Sequence, residues 1–223
     1  MDCYLCIDTE VGGANFMSGK DSILEVAMIP IPDPNKSEYT QAEFMKHFLD
    51  GRRMRYFMIK PYSNVDSYIL DKVLKHDISY YRAAMDVAQA SKRIEHVISR
   101  LAQSYERVIP VSDWHGDINA IDYLLSLHGT SFYKITRQHN MLHLKSFIQG
   151  MLPEGMNYES YKREIGVRKL LRGEAHQANN DCIHIAETFI RALFIAKARS
   201  TKNDNSNNAN NYEQLPLFKQ RNV

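Results

Sequence analysis

Apolar positions recur along this chain in two rhythms. Short, nearly continuous apolar runs fall at residues 3–7, 23–31, 54–60 and 107–111, closed by turn formers such as Pro30, Pro32 and Pro61. Runs of that length, bounded by such residues, predict buried strands. The second rhythm is helical. Over 88–102, Ala90, Ile94, Val97, Ile98 and Leu101 fall on one face. Cys182, Ile185, Ala186, Phe189, Ile190 and Leu193 follow i, i+3, i+4, i+7, i+8, i+11 and predict a long C-terminal helix. The stretch after Val111 also reads as helix, to Leu125. Strands interleaved with helices predict an α/β domain built on a mixed sheet flanked by helices. There is no internal repeat.

Composition agrees with that picture. The chain has 223 residues, 44% hydrophobic and 24% charged, which excludes a wholly disordered chain. No apolar run approaches the ~18 residues a spanning helix needs, so no membrane role is expected. The start, Met1-Asp2-Cys3-Tyr4, carries no basic segment or cleavage pattern and reads as cytoplasmic. Cys3 and Cys6 form a C-x-x-C, but inside the first apolar run and without a second ligand pair. Buried thiols are expected there rather than zinc or redox chemistry. A net charge of +2 identifies no partner, so nucleic-acid binding requires a local patch. The composition then changes. Residues 199–211, RSTKNDNSNNANN, hold six asparagines and no large apolar side chain, which predicts a flexible linker between a domain at 1–198 and a tail at 212–223.

Three places carry chemistry. Asp8 and Glu10 follow the first strand two positions apart, so extended backbone turns both carboxylates to one face, where a cation between them relieves their repulsion. Ser112-Asp113-Trp114-His115-Gly116-Asp117-Ile118-Asn119-Ala120-Ile121 joins the fourth strand to a helix, a junction from which an aspartate projects into a cleft or caps the helix. Its opening resembles a metallophosphoesterase string, but no further His and Asn motifs supply that family's second metal. Asp181 sits in the first turn of the last helix at the margin of its apolar stripe, and His176 lies just upstream on a loop.

Taken in order, Asp-x-Glu, then Asp, then His-x4-Asp resembles the DEDDh 3′–5′ exonucleases of the ribonuclease H-like superfamily. Cys6-Ile7-Asp8-Thr9-Glu10-Val11-Gly12-Gly13 is similar to that family's opening "DTETTG", Ile23-Leu24-Glu25-Val26-Ala27 to its "ILEIA", and Lys75-His76-Asp77-Ile78-Ser79 to "HGIT". Residues 158–167 resemble the helix ahead of its third motif. The second motif departs from the family pattern, with Gly116 where an aromatic is common. Asp117 and Asp122 both compete for its ligand position, Asp117 being preferred because Ala120 and Ile121 then fill the apolar positions after it. The resemblance implies a ribonuclease H-like fold with a two-metal site. Asp8, Glu10, Asp117 and Asp181 would hold two Mg²⁺ or Mn²⁺ ions and His176 would act as general base, since an imidazole titrates near neutrality. Thr9, Val11 and Gly12 would lie near the terminal nucleotide. The implied product is a nucleoside 5′-monophosphate cut from a DNA 3′ end, with an exoribonuclease as the alternative. Lys162, Arg163, Arg168, Lys169 and Arg172, or Arg52, Arg53 and Arg55, are candidate phosphate contacts.

Beyond the linker, Gln214-Leu215-Pro216-Leu217-Phe218 resembles the Gln-Leu-x-Leu-Phe peptide that docks bacterial polymerases and repair proteins on the β sliding clamp. Within the motif, which includes Leu215, Leu217 and Phe218 would fill an apolar cleft while Gln214 makes polar contacts, and the tether would raise the local concentration of the nuclease. That peptide implies a bacterial or phage setting. Two alternatives remain: the tail folds back on the domain, or the chain is a clamp-binding adaptor with an inactive site.

Overall fold

The computed structural model describes residues 1–206 apart from 50–52, 76, 139 and 171–175, with side chains as far as 199. Five strands form one mixed sheet in the order β3-β2-β1-β4-β5. They are β1 (Asp2–Val11), β2 (Ile23–Pro32), β3 (Arg55–Met58), β4 (Arg107–Ser112) and β5 (Leu142–His143). β1 is antiparallel to β2 and parallel to β4. β3 continues the antiparallel edge, and β5 adds a short parallel one. The four apolar runs thus become the four longer strands. The first extends beyond its apolar part because Asp8, Thr9 and Glu10 keep pairing with Ala27, Val26 and Glu25. β5 has only two residues, too few to show an alternation in sequence.

Helices cover both faces. α1 (Gln41–Phe48), α2 (Val87–Ser104), α3 (His115–Ser126), α4 (Phe132–Thr136), α5 (Leu144–Gln149), α6 (Tyr158–Glu164) and α7 (Ala178–Ser206) follow in chain order. Leu5, Ile7, Val26 and Met28 pack with Ile94 and Ile98 of α2 and Ile121 and Leu124 of α3. On the opposite face Cys6, Ala27, Ile29 and Ile31 pack with Phe44 of α1, Ile148 of α5, and Cys182, Ile185 and Phe189 of α7. Each buried Leu, Ile, Val, Met or Phe among them stabilises the fold by ~1.5–3 kcal/mol. Strand alternation therefore sends odd positions of β1 toward α2 and α3, and even positions toward α7.

The stripe foreseen for the last helix is the one that is buried. The helix itself runs to Ser206. The rest of the linker and the tail, with Gln214, Leu215, Leu217 and Phe218, lie outside the described residues. Cys3, Cys6 and Cys182 are buried free thiols, and burial pushes Cys3 up to about 12. Among the described residues no helix is long and apolar enough to cross a membrane.

Candidate active site

The parallel pairing of β1 with β4 ends at Cys6 and Val111. Asp8, Thr9 and Glu10 therefore extend past the carboxyl end of β4, where a mixed sheet opens a crevice. The alternation then sorts their side chains. Thr9, on the α3 side, donates both its N–H and its hydroxyl to Oδ1 of Asp117, at 3.0 and 2.9 Å. Asp117 lies in the first turn of α3 and is 2% exposed. Asp8 and Glu10 fall on the α7 side. There Asp181, in the first turn of α7, accepts the His176 N–H at 2.7 Å. His176 adopts a left-handed backbone, φ 61°, which bends the chain so that its N–H can reach this carboxylate. Ligand atoms of Glu10, His176 and Asp181 all lie within 4.8 Å of one another. Asp8, Glu10, Asp117, Asp181 and His176 share one cavity of about 620 Å³.

Gathering these acids has an electrostatic cost. Burial, then Asp117 and Glu10, holds Asp8 well above the usual carboxylate range. Burial followed by Asp181 and Glu25 pushes Glu10 up to about 9. Asp117 is raised by burial to about 7 despite the two Thr9 hydrogen bonds that favour its charged form. Asp181 is raised by burial, against the pull of the His176 N–H. Such a cluster is not fully ionised near neutral pH without cations. Its donors are hard carboxylate oxygens with the imidazoles of His176 and His184, and among the described residues no cysteine lines the cavity. That donor set fits Mg²⁺ or Mn²⁺.

Thr9 and Val11 line the cavity, whereas Gly12 sits against Val65. Asp122, the rival of Asp117, accepts the Phe132 N–H at 2.7 Å and so anchors the start of α4. The structure also brings in residues that sequence reasoning did not single out. Asp113 is a fifth carboxylate of the cavity, and its two oxygens accept the Tyr158 hydroxyl at 2.8 and 3.0 Å. Its place directly after β4 was the available signal. Trp114, Glu159 and His184 line the same space, as does Lys162, one of the candidate phosphate contacts. His115 instead stacks on His143 with centroids 4.3 Å apart, and it is not among the residues lining the cavity. Of the candidate phosphate contacts, Arg52 and Arg172 lie outside the described residues.

Two features beside the site make predictions. Glu25 is fully buried opposite Glu10 and accepts the Tyr81 hydroxyl at 2.9 Å and the Ala178 N–H, the first of α7, at 3.1 Å. Glu25→Ala removes the buried acceptor that the Tyr81 hydroxyl and the Ala178 N–H share and is expected to destabilise the protein by ~2–4 kcal/mol, read by urea unfolding. Gly116 leaves room for the Trp114 indole, which any side chain at 116 would strike. Trp114 is 49% exposed, packs edge-on to Phe16 at 5.9 Å and is the chain's single tryptophan. Gly116→Ala is expected to displace the indole and shift the intrinsic fluorescence maximum. The same spectrum in variant and parent would place the ring elsewhere.

No protein-family profile matches the chain, and no curated protein matches it in sequence. Solved structures do. E. coli exonuclease I in complex with a dT13 oligonucleotide aligns at 14% identity with a TM-score of 0.63, over 91% of this chain and 43% of that one. Cell-death related nuclease 4 aligns at 15% identity and 0.60, over 87% and 64%. The nuclease domain of 3′hExo, a DEDDh family member bound to rAMP, aligns at 10% identity and 0.59, over 87% and 92%. The chain spans less than half the length of exonuclease I. Its sheet and flanking helices are the ribonuclease H-like fold of these exonuclease structures.

Proposed function

We propose that this chain is a metal-dependent 3′–5′ exonuclease that releases nucleoside 5′-monophosphates from DNA ends. The convergence of Asp8, Glu10, Asp117, Asp181 and His176 in one cavity of a ribonuclease H-like fold carries that reading. Asp8, Glu10, Asp117 and Asp181 would hold two divalent cations. When bound, these supply charge stabilisation at the scissile phosphate and a water acidic enough to attack it. The protein's own groups do the rest. Thr9 fixes the orientation of Asp117, and the His176 N–H fixes Asp181. The His176 ring, carried on the loop ahead of α7, takes the proton of the attacking water. Thr9 and Val11, which line the cavity, would sit against the terminal nucleotide.

The choice of DNA rests on the tail: Gln214, Leu215, Leu217 and Phe218 would dock on a β sliding clamp in a bacterial or phage cytoplasm, with the residues between α7 and the tail as tether. RNA is the second reading, favoured by the resemblance to a nuclease domain solved with rAMP. Initial rates on matched DNA and RNA oligomers separate the two. Faster DNA hydrolysis, with Gln214→Ala/Leu217→Ala losing clamp binding but not oligomer hydrolysis, supports the first. Selective RNA hydrolysis, with no clamp binding by the parent chain, turns the assignment to RNA processing.

A further inference from the structure

We infer that Lys162 forms a phosphate-binding subsite beside the carboxylate cluster, holding the backbone phosphate next to the scissile one on its 5′ side. The inference rests on the nuclease reading above and names how the strand is gripped. Six carboxylates line the cavity, Glu159 among them. Lys162 is the only lysine or arginine among the described residues that line it. An anionic strand entering that space is repelled along its length except where cations are fixed, so a cation on the wall sets the strand's path.

Lys162 is built into its place. Its side chain is only 12% exposed, and its ammonium lies 4.7 Å from the centroid of the Tyr158 ring. Tyr158 is in turn tied through its hydroxyl to Asp113 at the end of β4. The lysine is thus connected through one aromatic ring to the floor of the acidic site. It also lies close to α7: the Lys162 charge is, after burial, the largest cause of the lowered pKa of His184, one turn beyond Asp181 and itself a lining residue.

The present partner of Lys162 is exchangeable. Glu159 reaches the ammonium at 2.9 Å, but its side chain is 71% exposed. Glu159 regains its full hydration on leaving, so an incoming phosphate displaces it at small cost. In a partly buried position the same ammonium binds phosphate more strongly than a surface lysine would, because less water screens it.

The test compares two substrates in the full chain. One is a thymidine oligonucleotide. The other is the p-nitrophenyl ester of thymidine 5′-monophosphate, which has a scissile phosphate but no neighbour. For Lys162→Met, kcat/KM on the oligonucleotide is expected to fall ~10-fold, through KM, as for loss of one charged hydrogen bond. The slope of log KM against log salt should drop by ~0.7, one single-strand phosphate contact. The loss on the ester should be several-fold smaller, and Lys162→Arg should recover most of the oligonucleotide affinity. Equal losses on both substrates, or an unchanged salt slope, overturn the subsite and leave a packing role. A parent chain that hydrolyses neither substrate overturns the nuclease reading and the subsite with it.

Discussion

Asp8→Asn is expected to abolish metal-dependent nucleotide release while making the metal-free protein more stable. The two effects share one cause. Asp8 is recessed among Asp117, Glu10, Asp181 and Asp113, and each of these raises its pKa after burial does. Asparagine keeps the shape and removes the charge, so the metal-free fold at pH 8 loses a repulsive centre. A gain of ~1–2 kcal/mol in thermal or urea unfolding is expected, the size common for relief of an unfavourable site. The same substitution removes an anionic ligand from a site whose chemistry depends on cations, and hydrolysis should fall ~10²–10³-fold or more. A variant with parental activity would move the site away from β1. A variant that loses activity and stability together would mean that Asp8 is a structural acid.

The pH dependence of the metal-free protein follows from the same cluster and runs opposite to that of a salt-bridged acid. Folded-state values of about 7 for Asp117 and about 9 for Glu10 lie above the ordinary 3.8 and 4.5. Over that interval the folded chain holds more protons than the unfolded one, so stability falls as pH rises. The stability is fully present below about pH 4 as far as these groups are concerned, and is lost progressively toward pH 9. Every tenfold difference in proton affinity between the folded and unfolded chain is worth ~1.4 kcal/mol, so the loss should amount to several kcal/mol. Mg²⁺ or Mn²⁺ should reverse it, because cations bind the deprotonated cluster and bind more tightly at higher pH. At ~100 times the dissociation constant the gain is ~2.7 kcal/mol. Thermal melts in EDTA and in Mn²⁺ from pH 5 to 9 give the comparison. A metal effect that does not grow with pH would contradict the assignment.

The sequence carries those parts of this architecture that repeat at short range. The alternation of β1 is enough to place Asp8 and Glu10 on one face, and the stripe from Cys182 to Leu193 orients α7 and hence Asp181. Spacing after the motif favours Asp117 over Asp122, and in the fold Asp117 is the one that lines the cavity, where Thr9, between two acids on β1, donates to it. What is not legible depends on contacts between distant parts of the chain. Asp113 meets Tyr158 across 45 positions, and Glu25 meets Ala178 across 153. Neither pair leaves a periodic trace. Lys162 is visible in the sequence as one of several basic residues, and only the fold separates it from the others by turning it into the cavity. α1 has a readable start in Thr40 and Glu43, whose side chains and backbone form a capping box, a signal the apolar pattern alone does not use.

If this carboxylate cluster serves stepwise hydrolysis from a 3′ end, the most direct measurement follows 5′-labelled and 3′-labelled single strands in parallel, with Mg²⁺, Mn²⁺ or EDTA. The expected result is a ladder of 5′-labelled products that shorten one nucleotide at a time, early release of a labelled mononucleotide from the 3′-labelled strand, and neither in EDTA. Internal cuts, shortening from the 5′ end, or hydrolysis that persists in EDTA would contradict it.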